Sequence, residues 1–185
     1  MKSFFVLGID PGLASCGVVV LEVFHTTERL VYMDVLRTAK SHKKLKILVC
    51  DDLSRRVVEM TDMLEVVLAK YEPRLVCAEA FSAPRNASSA AKAGMGWCLA
   101  AALSRLRGLP FLQATPQQIK KSHTGKASAT KPEVQEVLAK RYPKMRRFLA
   151  KVVKGQQEHP VDALAAVVTC FDSDAMRGAR AGLDA

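Results

Sequence analysis

The segment Phe4-Phe5-Val6-Leu7-Gly8-Ile9 is a continuous apolar, β-forming run that stops on a charge, Asp10, followed at once by Pro11-Gly12. A carboxylate at the end of an apolar strand is costly unless it is paired, hydrogen-bonded or bound to a cation. A second β-rich run, Cys16 to Val23 with Gly17 inside it, and a third, Arg29 to Leu36, follow on short connections. Three such runs predict a meander. The chain has 185 residues, 49% of them hydrophobic and 25% charged, enough to bury the core of one domain.

Beyond the meander the apolar residues recur at helical spacings of three or four. Thr38 to Lys46 is polar and basic and reads as a loop or the start of a helix. Leu53, Val57, Met60, Leu64, Val67 and Leu68 predict a helix over 51–70, with Asp51 or Asp52 as N-cap and Pro73 closing the segment. Leu75-Val76-Cys77-Ala78 is a short apolar strand ending at Glu79. An Ala-rich helix spans Ser88 to Leu106, with Gly94 and Gly96 inside, and its small residues imply close packing on the sheet or on a second subunit. A strand over 110–115, a turn opened by Thr115-Pro116, a polar loop over 122–130, a helix from Lys131 to Arg141, a very basic link over 144–154 and a last helix over 157–170 complete the pattern. The expectation is a single mixed α/β domain over residues 1–172, helices covering the sheet faces, with a polar tail over 173–185 that frays.

No apolar run is long enough to span a membrane, and no secretory signal is evident, so the expected location is the cytoplasm of a bacterial cell or a phage-infected host. Five scattered cysteines without a CxxC pair are expected to be buried thiols in a reducing compartment. The formal charge is +10, and it is uneven: from Phe111 to Pro160 eleven Lys and Arg face three Glu. Clustered basic charge points to a polyanion, nucleic acid first.

Three acids stand apart from the surface charge: Asp10 and Glu79 at the ends of apolar strands, and Asp162 beside Ala163-Leu164-Ala165 at the start of the last helix. If the two strands are parallel neighbours, both acids leave the same sheet edge, where α/β folds gather their ligand sites. A carboxylate cluster of this kind suits Mg²⁺, and two such ions can serve both oxygens of a phosphodiester displacement. Each acid also fits an ordinary role: turn, strand end, or early-helix acid. An actin-like or sugar-kinase-like ATPase also opens with an acid after an apolar strand, but this chain is too short for two lobes and carries no GxxxxGK[ST] segment.

Gly8-Ile9-Asp10-Pro11-Gly12 resembles the opening motif of the RuvC Holliday-junction resolvases, which have a ribonuclease-H-like fold. Val76-Cys77-Ala78-Glu79 is similar to that family's second acidic strand, with Asn86, Ser89 and Ala90 following. The stretch from Thr124-Gly125-Lys126 through Ser128 to Lys131, Val134 and Gln135 resembles its DNA-contacting loop, and Glu158 to Ala165 its C-terminal helix motif. The resemblance implies an α/β ribonuclease-H-like fold with a sheet of about five strands. It implies an endonuclease that cuts four-way DNA junctions in pairs, leaving 5′-phosphate and 3′-hydroxyl ends. Asp10, Glu79, His159 and Asp162 would hold two Mg²⁺, with Mn²⁺ able to substitute, and Lys120 and Lys131 would attend the scissile phosphate. Phe81, Asn86, Lys121, Thr124, Gly125, Lys126, Ser128, Arg141, Lys144, Arg146 and Arg147 are the expected DNA contacts. A homodimer is the expected state, and a branch-migration helicase the further partner. Less selective cutting of branched or flap DNA, and junction binding without cutting, are the competing readings.

The chain departs from the family pattern at three places. Phe81 lies two residues after the second acid, where members often place an aromatic three residues after it. Ala127 replaces the second glycine of the Thr-Gly loop. Met95-Gly96-Trp97-Cys98 stands where members show a Gln-Ala-Arg-Gly-like stretch.

Overall fold

The computed structural model describes residues 2–82 and 86–183. Its centre is a five-stranded sheet in the order β3-β2-β1-β4-β5. Strands β1 (Phe4–Asp10), β2 (Ser15–Val23) and β3 (Glu28–Arg37) form the predicted antiparallel meander. Strand β4 (Leu75–Glu79) pairs parallel to β1, and β5 (Phe111–Ala114) parallel to β4. The mixed sheet flanked by helices is the expected ribonuclease-H-like arrangement.

The two faces divide the apolar runs by alternation. Val6, Val19, Leu21, Leu75 and Cys77 face one core, and Leu7, Ile9, Val18, Val20 and Val76 face the other. Helices α1 (Val49–Tyr71) and α2 (Ala87–Leu106) cover the second face, burying Met60, Leu64 and Leu103 against it. Helix α6 (Glu158–Thr169) lies on the first face, supported by α4 (Lys131–Arg141) and α5 (Met145–Leu149). With both faces covered, β1 and β2 have no solvent side, which is why they read as unbroken apolar runs.

Two glycines bring α6 down onto the sheet. A Cβ on Gly8 of β1 would overlap Val167 and the Ala163 carbonyl, and one on Gly17 of β2 would overlap the backbone of His159 and Pro160. The start of α6 is therefore pressed against the strand that pairs Gly17 with Asp10.

Several local expectations change. The first helix begins at Val49 with Leu48 as N-cap and no side-chain cap, while Asp52 accepts hydrogen bonds from Ser41 and Arg55. The loop expected from Ser122 starts later, because α3 (Pro116–Thr124) runs on to a left-handed Gly125. The basic link contains α5, anchored by buried Met145 and Leu149. Within the expected tail, residues 174–181 form α7 (Asp174–Ala181), capped by Ser173, with Met176 and Leu183 buried. Cys16, Cys77 and Cys170 are buried as expected, but Cys50 and Cys98 are exposed. Among the described residues, no helix is long and apolar enough to cross a membrane.

Candidate active site

The parallel register runs Val6 with Leu75 through Ile9 with Ala78, so the next residues, Asp10 and Glu79, leave the sheet side by side at one edge. Helix α6 starts over that edge. Its His159 and Asp162 are three residues apart and share a helix face. The four side chains line one recess of about 290 Å³, together with Lys131 and Glu158.

Inside it the charges are tightly linked. His159 Nδ1 donates to Asp10 Oδ2 at 2.7 Å, and that bond holds the imidazole pKa above its ordinary value against the opposing effect of burial. Lys131, the first residue of α4, donates from Nζ to Asp162 Oδ2 at 2.6 Å and lies 3.5 Å from Glu158 Oε2. Burial alone would lower the lysine's pKa, but the hydrogen bond and charge of Asp162 outweigh it. Asp162 is nevertheless raised, because the cost of burying it exceeds what Lys131 returns. Glu79 is pushed up to about 7, first by burial and then by the negative charges of Asp162 and Asp10; Lys131 and Lys120 act in the opposite direction. Crowded carboxylates that raise one another in this way are a cation-seeking arrangement.

Three carboxylates and an imidazole in one recess are a donor set that hard divalent cations accept. Among the described residues, no three His, Cys, Asp or Glu side chains converge closely enough to ligate one ion. Asp162 is held to Lys131, and Asp10 to His159.

The other expected residues divide. Lys120 lies beside the recess, in a hollow shared with Glu79, Lys131 and Asp162. Lys121, Lys126 and Ser128 are exposed on α3 and on the loop that leads into Lys131. Thr124 is tied down, its hydroxyl donating to the Lys120 carbonyl at 2.8 Å, and Gly125 takes the left-handed turn that ends α3. Asn86 caps α2, accepting from Ser89 N at 3.0 Å. Phe81 is 44% exposed at the mouth of the recess, its ring 6.3 Å from that of Trp97 and against Gly94. Arg141 turns away to Glu28, which it shares with Tyr142 and Arg180. Lys144, Arg146 and Arg147 are exposed around α5, which packs on β3, the sheet edge strand beyond β2.

Two residues named in the sequence without a place in the site line the recess. Glu158 stands four residues before Asp162, and that spacing alone places it on the same helix face. Trp97 lines the recess with its indole Nε1 buried and without a hydrogen-bond partner among the described residues.

The family model described as crossover junction endodeoxyribonuclease RuvC matches residues 6–170. The chain belongs to the RuvC family. Among its relatives, the RuvC of Leifsonia xyli subsp. xyli is 32% identical over 136 residues, which are 73% of this chain and 61% of that protein. The RuvC of Prochlorococcus marinus (strain MIT 9211) is 29% identical over 70% of this chain and 75% of its own length. This RuvC-family chain thus spans about three-fifths of the Leifsonia protein. The fold matches that of T. thermophilus RuvC in complex with Holliday junction substrate, with a TM-score of 0.72 at 24% identity over 97% of each chain. It also matches the yeast mitochondrial Holliday junction resolvase Ydc2, with a TM-score of 0.63 at 11% identity over 97% of this chain and 82% of that one. The RuvC match ends at Cys170, so α7 and Leu183 lie outside it.

Proposed function

We propose that this chain is a structure-selective endonuclease that resolves four-way DNA junctions by paired, metal-dependent phosphodiester hydrolysis, leaving 5′-phosphate and 3′-hydroxyl ends. The observation that carries the reading is the joining of Asp10, Glu79, His159 and Asp162 in one recess, with Lys131 among them and Lys120 beside it. Membership of the RuvC family supports it, as do relatives named crossover junction endodeoxyribonuclease.

Asp10, Glu79 and Asp162, with His159, are the residues that would hold two Mg²⁺, with Mn²⁺ as substitute. Bound there, such ions supply an activated water and stabilise the leaving oxygen. The chain's own residues do the remaining work. Lys131 and Lys120 present positive charge where a phosphate would meet the carboxylates, offsetting charge that builds up in the transition state. Lys121, Lys126 and Ser128 line the approach and hold the DNA backbone. Lys144, Arg146 and Arg147 extend that field to a further arm. Phe81, exposed at the mouth, stacks on a base unstacked at the branch point. Two copies related by a two-fold axis set paired sites on a near-symmetric substrate, with α2 contributing to their contact. A branch-migration helicase would deliver the junction.

The test is cutting of an immobile four-way junction, a flap and a linear duplex side by side, with and without Mg²⁺. Paired symmetric nicks confined to the junction and dependent on Mg²⁺ are expected. Equal cutting of flap and junction would replace the resolvase by a general branched-DNA nuclease. Binding without cutting in either Mg²⁺ or Mn²⁺ would end the enzyme reading.

A further inference from the structure

On the opposite side of α2 lies a larger recess, of about 500 Å³, between the segment over 40–49, the start of α1 and the first turns of α2. Ser88, Lys92 and Met95 of α2 face it, whereas Ala93 and Trp97 face the acidic recess. Its wall contains Arg56, which is only 2% exposed. Arg56 Nε donates to Thr38 Oγ1 at 2.9 Å, and Thr38 in turn donates to the Leu13 carbonyl. Arg56 makes no ion pair among the described residues, and its terminal guanidinium nitrogens are not among the fully enclosed unpartnered atoms, so they open on the recess. A buried guanidinium without a counter-charge is costly and calls for an anion.

The surroundings repeat that demand. Lys40, Lys43, Lys46 and Lys92 also line the recess. The acid present, Asp52, is already engaged by Ser41 and by Arg55 at 2.9 Å. Helix α1 opens on the recess without a side-chain cap at Leu48, and its first turn carries Asp51 and Asp52. Between the cations the lining is apolar: Ile47, Leu53, Ala91 and Met95. An anion that fills this recess therefore carries an apolar body, and the volume falls in the range of small-molecule sites.

We propose that this recess binds a nucleoside 5′-phosphate, with the phosphate on Arg56 and the lysines and the base against Ile47, Leu53 and Met95. The nucleotide has two sources, a free mononucleotide or the 5′-phosphorylated end of a DNA strand. Because Thr38 links Arg56 to the turn after Asp10, occupancy also fixes the position of that turn.

The test is calorimetric titration of the full chain with deoxyadenosine 5′-monophosphate, in EDTA and about 150 mM salt, where loose surface pairing is screened. One-to-one binding is expected, with deoxyadenosine binding at least about tenfold more weakly because it lacks the charge-assisted bonds. Arg56→Gln is expected to weaken binding by at least about tenfold. The exposed-rim pair Lys40→Ala/Lys43→Ala, which touches no core, is expected to weaken it severalfold, and Lys154→Ala, elsewhere on the surface, not at all. Competition by a 5′-phosphorylated oligonucleotide, but not by its unphosphorylated form, assigns the strand end; competition by neither assigns the free nucleotide. Absence of binding, or binding that ignores both Arg56→Gln and the rim pair, overturns the proposal. So does a hexaglutamate peptide that binds through the same residues more tightly than the nucleotide, which would make the occupant an acidic protein segment.

Discussion

Helix α2 separates two charged recesses that solve opposite problems. On one side, Asp10, Glu79 and Asp162 are crowded until the Glu79 carboxyl is pushed up to about 7, and the donors that meet Asp162 and Asp10, Lys131 and His159, come from α4 and α6. On the other side, lysines line the same recess as a mostly buried guanidinium that makes no ion pair among the described residues. The acidic recess is built on rigid strand ends and a helix seated by Gly8 and Gly17; the basic one is built on a loop and two helix starts. A site that must align reacting atoms gains from the first kind of support. A site that only holds a ligand can tolerate the second.

The largest expected effect separates the two chemically. Glu79→Gln should lower junction cutting by at least about a hundredfold, since loss of even a metal's outer partner costs up to about that much and Glu79 would hold the ion itself. It should leave nucleotide titration of the basic recess as it was. If both signals fall together, the two recesses are not independent.

The next tests the rigid support. Gly17→Ala drives a Cβ into the His159 backbone, so it should destabilise the fold by about 1–3 kcal/mol, the range for overpacking. It should also displace His159 from Asp10 and reduce cutting, while Gly178→Ala, where nothing lies near the added carbon and φ is ordinary, leaves the His159–Asp10 contact intact. Thermal melts and residual cleavage measure this. A Gly17→Ala variant with an unchanged melt would show that α6 is not seated as described.

Much of the acidic recess was legible in the sequence because its parts sit where regular patterns end. Asp10 and Glu79 terminate apolar runs, and Asp162 opens a helix whose apolar face is plain. Parallel pairing of β1 and β4 then follows from a helical crossover, α1. What stayed hidden depends on tertiary contact. Arg56 reads as one more polar residue of α1 until the Thr38 hydroxyl is found beside it. Arg141 looks like part of a basic field until Glu28, 113 residues earlier in the chain, claims it. α7 is short and polar, and only packing of Met176 and Leu183 reveals it as structure.

Smaller effects come from pH, and the two titrating groups act in opposite directions. Glu79 has a folded pKa of about 7 against an ordinary 4.5, so without divalent ions its contribution to stability declines as pH rises from about 4.5 through 7. Urea unfolding of wild type and Glu79→Gln should differ in slope across that window. His123 is lowered by burial, against the Ala165 carbonyl 3.1 Å from its Nε2. Its contribution is complete above the unfolded value of 6.5 and is lost as pH falls below it. His123→Gln should flatten the acid side of the stability curve and leave the side above pH 7 unchanged; a curve altered only above pH 7 would contradict this.

The most direct measurement is nicking of a labelled four-way junction in Mg²⁺ by wild type and Asp10→Asn, with junction binding followed in parallel. Paired nicks by wild type, none by the variant, and equal binding by both are expected. Cutting that survives in Asp10→Asn would contradict the central claim that the carboxylates at the β1–β4 edge carry the chemistry.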